Sequence, residues 1–181
     1  MGAVSRRTLL AGAGCLLAGG AARAHTPYRQ WQVYRQKHLL IGTCRADPES
    51  YPLGKRLVSI LVAGLPESKA RVARARTQRR LASLLTTGQL EVLLLTLEEA
   101  AALADGKAPF AEFGPYPLRL MFEVDGHALV CGEAFPESHA WLVTDALAEE
   151  LPVSDALRAP DKLTVHPGSA AFLAGEPHPE H

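Results

Sequence analysis

The chain has 181 residues, 48% of them hydrophobic and 21% charged, with a formal net charge of zero. That length allows one domain plus a processed segment, and the composition is that of an ordinary globular chain. The balanced charge gives no electrostatic reason to expect a nucleic-acid partner.

Residues 1–24 read as an export signal. Ser5-Arg6-Arg7-Thr8-Leu9-Leu10 opens an Ala/Gly/Leu-rich run that ends at Ala22-Arg23-Ala24. A charged start, a short apolar stretch and a small-x-small site are the marks of a cleaved signal, and the paired arginines point to the twin-arginine route. The run is too short and too rich in glycine for a good membrane span. Cleavage after Ala24 would remove three arginines and no acid, leaving a mildly acidic chain of net charge −3. The expected compartment is the periplasm. There Cys44 and Cys131, 87 positions apart, could form a disulfide or remain two buried thiols.

Residues 25–37 read as a polar and aromatic N-terminal arm. His38 to Thr43 is a compact apolar run, the first buried strand. Ser50 to Ala63 places Leu53, Leu57, Val58, Leu61 and Val62 at helical spacing, with Asp47 or Ser50 as N-cap candidates and Gly64 at the end. Ala70 to Ala75 is a short strand, Thr77 to Thr87 a helix closed by Gly88, and Glu91 to Thr96 a second buried strand. Leu97 to Ala104 is helical. Tyr116 to Val124 and His127 to Cys131 flank Asp125-Gly126, a dipeptide favoured in tight hairpin turns. Glu137 to Glu150 is a helix broken by Pro152, and Ser154 to Arg158 a further short helix. From Pro160 a Pro/Gly/His-rich stretch is expected to cover the surface loosely.

Strands alternating with helices predict an α/β fold with a mainly parallel sheet flanked by helices. Ligands of such sheets bind beyond the carboxyl ends of the strands. Three loops qualify: Gly42 to Tyr51, Arg76 to Arg80 and Thr96 to Glu99. Each should aim a helix N-terminus, with free backbone N–H groups, at a carboxylate or phosphate. Arg45, Arg76, Arg79 and Arg80 could add guanidinium contacts.

The segments IGT and SYPLGKRL, TQRRLASLLTTGQLEVLLLTLEEAAALADG, YPLRLMF, FPESHAWLVTDALAE and VHPGSAAFLAGE together resemble the TAXI-type solute-binding subunit of TRAP transporters. The resemblance spans residues 38–175 and implies a single periplasmic-binding-protein-like lobe; residues 176–181 are expected to form a flexible tail. The family's second lobe has no counterpart between Arg119 and the C-terminal helix. The resemblance also implies ligand contacts at Gly42, Thr43, Tyr51, Thr77, Arg80, Thr96 and Glu98. Among these, Arg80 replaces a family asparagine, and Thr96-Leu97-Glu98 replaces Gln-Ser-Asp.

Three roles follow. The chain could be an exported accessory or interaction protein that meets a protein partner or a second copy of itself. It could be a minimal receptor for a small anionic solute such as a carboxylate, feeding a transporter. Or a mature N-terminal His25 could chelate copper. No His-x-x-x-His or Cys-x-x-Cys spacing supports a preformed metal site, and no cofactor is implied. No Gly-x-Ser-x-Gly elbow or phosphate-binding glycine loop is present, so catalysis is not expected. Glu98-Glu99 and Glu149-Glu150 read as solvated helix faces.

Overall fold

The structure is a computed structural model that describes residues 38–153, 157 and 163–179. The signal at 1–24, the arm at 25–37 with His25, and nearly all of the short helix expected at 154–158 lie outside the described residues.

The elements run in the order β1 (Leu40–Cys44), α1 (Ser50–Gly64), β2 (Arg71–Ala75), α2 (Gln78–Thr86), β3 (Val92–Thr96), α3 (Leu97–Ala104), β4 (Leu118–Val124), β5 (His127–Gly132), α4 (Glu137–Ala148), β6 (Thr164–Val165) and α5 (Pro167–Leu173). The six strands form one sheet in the order β2-β1-β3-β5-β4-β6. β1 is parallel to β2 and β3, and β6 is parallel to β4, while β5 is antiparallel to both of its neighbours. Five strands therefore point one way and β5 alone points back. The fold is α/β, a single lobe around a mostly parallel mixed sheet that five helices of the described residues flank, as the alternation of periods predicts. The hairpin accounts for the antiparallel strand. Asp125 and Gly126 both take positive φ, at 50° and 73°, which is the two-residue turn that Asp-Gly favours.

β1 shows how sequence sets the layers. Side chains alternate across a sheet, and successive residues of β1 meet different helices. A Cβ on Gly42 would lie 2.6 Å from Leu93 and 3.0 Å from Leu81 of α2, while Thr43 lies under Gly54 of α1. Hence α1 and α2 cover opposite faces. On its own face α1 packs against α4, and α4 against α5. Ile41, Leu57, Leu61, Leu81, Leu93, Leu94 and Leu95 are fully enclosed between these layers. Each such side chain contributes about 1.5–3 kcal/mol by leaving water.

Two sequence readings are decided by the packing. Of the two alternatives for the cysteines, the structure has the buried thiols: Cys44 and Cys131 are both free and buried. Gly42 pairs with Leu93 and Val92 with Cys131, so the two cysteines are two strands apart and about three residues apart along the strands. That is roughly 14 Å, from a spacing of about 4.8 Å between strands and a rise of about 3.3 Å per residue. A bridge needs Cα atoms within about 7 Å. Burial instead pushes the Cys131 thiol up to about 12.

The second concerns the C-terminal stretch, which does not cover the surface loosely. α5 sits directly on α4, and a Cβ on Gly168 would fall 2.0 Å from the Glu137 carbonyl oxygen. His166 caps α5 by accepting from Gly168 N–H through Nδ1, and its Nε2 faces the Phe135 carbonyl at 2.9 Å. Ser169 and Thr144 share a buried hydroxyl–hydroxyl contact of 2.7 Å between the two helices. Beyond α5, Trp141 Nε1 donates to the Glu176 carbonyl and the indole meets His178 edge-on, so residues 176–178 lie against α4.

Candidate functional site

The chain leaves β1 toward β2 on one side and returns to β3 on the other. The boundary between β1 and β3 is therefore the topological switch point, where open α/β sheets bind ligands. The loop Arg45–Glu49 leaves β1 at this end, Thr96 ends β3, and the Asp125-Gly126 turn ends β4.

Asp47 organises the switch point. Its Oδ1 accepts from the backbone N–H groups of Glu49 and Ser50, at 3.0 and 3.3 Å. The N-cap residue of α1 is Glu49, not Asp47 or Ser50 as the sequence suggested, and it carries no side-chain cap; the Asp47 carboxylate holds the N–H of this residue and of the first helical residue from the preceding turn. Its Oδ2 lies 2.9 Å from His127 Nε2. The Asp47 and His127 side chains are only 14% and 5% exposed. His127 Nδ1 lies 3.1 Å from the Asp125 carbonyl. Each ring nitrogen of His127 is thus engaged by an oxygen of the protein itself. The side chain works as a clip between the β1–α1 loop and the hairpin. Arg56 of α1 adds an exposed ion pair to Asp125, at 3.3 Å.

Ser50 closes the loop from within. Its Oγ accepts from Cys44 N–H at 3.2 Å and shares its own proton between the carbonyls of Cys44 and Asp47, at 3.1 and 3.0 Å. Ser50 is fully buried. The same self-sufficiency recurs at the other loops. Thr77 caps α2 by accepting from Arg80 N–H at 3.2 Å. Thr96 caps α3 by accepting from Glu99 N–H, and the Glu99 carboxylate accepts from Thr96 N–H in return. This is a capping box. Glu99 is thus part of the helix cap rather than a purely solvated acid, and Glu98 beside it is exposed.

The residues read from sequence as ligand contacts have several different roles in the structure. Gly42 is a packing glycine pressed by Leu93, Leu90 and Leu81. Thr43 is fully buried beneath Gly54, and its hydroxyl donates to the Ala73 carbonyl at 3.3 Å. Thr77 and Thr96 serve as caps. Tyr51 and Arg80 do reach the surface. The Arg74 guanidinium lies over the Tyr51 ring at 4.3 Å, and Lys55 stands 5.9 Å from the same ring. Arg79 is committed elsewhere: a bidentate pair with Glu112 raises the Arg79 pKa and holds the Glu112 carboxyl below its usual range, chiefly through their hydrogen bond.

A small open cleft of about 150 Å³ lies at the other end of the sheet, lined by Leu85, Leu90, Glu91, Tyr116 and Phe135 among others. Burial, followed by the nearby Cys131, raises the Tyr116 pKa. Among the described residues no group of three or more His, Cys, Asp or Glu side chains could hold a metal ion. None of their helices is long and apolar enough to cross a membrane.

Sequence reasoning missed His127 and Arg74. His127 acquires its role only through its register with Thr96 across β3 and β5 and through a loop contact 80 positions away. Arg74 was visible as one of the alternate basic residues of Arg71-Val72-Ala73-Arg74-Ala75-Arg76, but its place over Tyr51 depends on how α1 folds back beside β2. No family model matches this sequence, and no curated protein matches it.

Proposed function

We propose that this is an exported accessory or interaction protein without catalytic activity, descended from one lobe of a TAXI-type solute-binding subunit and no longer built to enclose a solute. The observation that carries this reading is the carboxylate of Asp47 on the N-terminal N–H groups of α1. A free helix N-terminus is a ready anion site, and here the chain supplies its own anion. Thr77, Thr96 and Glu99 occupy the neighbouring helix ends in the same manner. A one-sided cleft would also leave half of a bound solute wet, whereas small-molecule sites normally bury most of their ligand.

Thermal unfolding with a panel of mono- and dicarboxylates and inorganic phosphate, each at 1 mM, tests this reading. A solute with a Kd of about 10 μM would stabilise the protein by about 2.7 kcal/mol under those conditions, which is a shift of several degrees. The expected shift is below one degree for every compound. A shift of several degrees with any of them favours the alternative, a minimal receptor for a small anion, for which the exposed arginines supply the supporting observation. Export is tested separately: the mass of protein recovered from the periplasm should correspond to a chain beginning at His25.

A further inference from the structure

We infer that the outer edge of β2 is a docking edge for an extended acidic segment of a partner protein, which adds to the sheet as a further strand. The inference rests on the interaction-protein reading above and names the chemistry of the partner.

Three observations carry it. First, among the described residues β2 is an edge strand, hydrogen-bonded to β1 alone. Arg71 N–H donates inward to Leu39, and Ala73 and Ala75 accept through their carbonyls from Thr43 Oγ1 and Arg45 N–H. In a parallel ladder alternate residues face one neighbour, so the backbone N–H and C=O groups of Val72 and Arg74 face outward. Those are the groups a further strand would use.

Second, the edge is cationic. Arg71, Arg74, Arg76 and Arg80 are all exposed, and so is Arg45, which follows β1 as Arg76 follows β2. No ion pair joins any of these five to a carboxylate of the described residues. Elsewhere on the described surface Arg56, Arg79, Lys107 and Arg119 each hold an acid. Like charges on neighbouring strand positions repel, and an acidic strand alongside would relieve that repulsion. Tyr51 beneath Arg74 holds one guanidinium on the face where an incoming side chain would lie.

Third, the charge selects the occupant. A second copy of this edge would set arginine against arginine. The chain's own residues 25–37 carry Arg29, Arg35 and Lys37 and no carboxylate, so they do not complement it. An apolar partner face is not matched either, because Val62 is the one large hydrophobic side chain exposed among the described residues. Charge on an edge strand is also a known guard against indiscriminate pairing. Here it would admit acidic strands and turn others away.

The test uses the chain from His25 to His181 and a fluorescent eight-residue peptide with glutamate at alternate positions and valine or threonine between them. Fluorescence anisotropy at low salt should show saturable binding that weakens as salt rises. The same peptide with lysine for glutamate should not bind. The peptide N-methylated on the amides that would face β2 should bind at least tenfold more weakly. Arg74→Glu/Arg76→Glu, checked for folding by circular dichroism, should lose at least tenfold in affinity. Val72→Pro removes one outward N–H and no inward one, and should also weaken binding. Equal binding of the methylated and unmethylated peptides, or full competition by inorganic phosphate at equal charge, would overturn strand addition and leave only anion binding. An acidic peptide that does not bind at all would also overturn it. If the carboxylate panel still gives no thermal shift, either failure falls on this docking edge and leaves the interaction-protein reading standing. A large shift in that panel would remove both.

Discussion

Replacing Asp47 by alanine should both destabilise the protein and create an anion site that the native chain lacks. The carboxylate accepts from the N–H groups of Glu49 and Ser50 in the turn that enters α1 and clips His127 through Nε2. Losing side-chain acceptors of this capping kind costs about 1 kcal/mol. Losing a charge-assisted hydrogen bond that leaves a buried partner unsatisfied costs about 1.5–3 kcal/mol. Together they predict a loss of about 2.5–4 kcal/mol in urea unfolding at 25 °C. Asp47→Asn keeps an oxygen on the cap and places an amide opposite His127, and should lose less than half as much.

The decisive arm is rescue. With the carboxylate gone, the α1 N-terminus and His127 face an empty seat sized for a carboxylate. If acetate enters it with a Kd of about 20 mM, 200 mM acetate returns about 1.4 kcal/mol, a rise in Tm of about 3–6 °C. The same concentration of chloride should not do this, and wild-type protein should not respond to acetate beyond its response to chloride. The reasoning fails if Asp47→Ala costs under about 0.5 kcal/mol, or if acetate and chloride act alike on the variant.

Four further outcomes follow from the packing. Gly168→Ala would force a methyl into the Glu137 carbonyl, a backbone atom that cannot swing aside, and should cost about 3 kcal/mol or more in chemical denaturation; wild-type stability in this variant would mean that α5 is not seated on α4. Thr144→Val leaves Ser169 without its buried partner and should cost about 1–3 kcal/mol, with part of the loss recovered in Thr144→Val/Ser169→Ala because both polar groups are then gone. His166 is held neutral, since burial lowers its pKa below 6.5 more than the hydrogen bond to Phe135 raises it; unfolding then takes up a proton, so its contribution is complete above about pH 6.5 and is lost as pH falls. His166→Asn should flatten the slope of stability between pH 7 and 5, and an unchanged slope would refute the assignment. In the chain from His25 onward, iodoacetamide without reductant should label both Cys44 and Cys131 after denaturation and neither before; a blocked pair in denaturant would restore the disulfide.

The parts of the fold that were readable from sequence are those whose apolar residues keep a clean period. β3, with Val92-Leu93-Leu94-Leu95, and α1, with Leu53, Leu57 and Leu61, fall within about two residues of their expected ends. The Asp-Gly turn fixed the hairpin because both residues tolerate positive φ. α5 was invisible for the converse reason. Pro167-Gly168-Ser169-Ala170-Ala171 has no large apolar side chain to mark a face, and it packs because its residues are small enough for backbone to approach backbone. Pro at its first position is a start signal, but in a stretch rich in proline it is indistinguishable from loop.

The candidate site was only partly legible. Sequence named three loops beyond strand ends, and only the strand order β2-β1-β3 singles out the β1–α1 loop as the switch point; Asp47 stood among the cap candidates, but the N-cap residue is Glu49. What the chain's own spacing could not reveal is that capping and ligand binding compete for the same N–H groups. One carboxylate cannot leave the α1 N-terminus open to another. The helix N-termini at the carboxyl ends of the strands hold side-chain oxygens from Asp47, Thr77 and Thr96, while the arginines without an acidic partner run from Arg45 after β1 to Arg71, Arg74 and Arg76 along and after β2 and Arg80 in the first turn of α2. Fold topology alone would send a ligand into the crevice between β1 and β3. Charge along β2 adds the sheet edge as a second place, and electrostatic complementarity contributes to partner choice and encounter rate more than to raw affinity. Side-chain oxygens already meet the helix ends beyond β1, β2 and β3. The outward N–H and C=O groups of Val72 and Arg74, by contrast, stand beside guanidinium groups that no carboxylate of the described residues neutralises, and it is there that an acidic strand would gain both backbone and charge contacts.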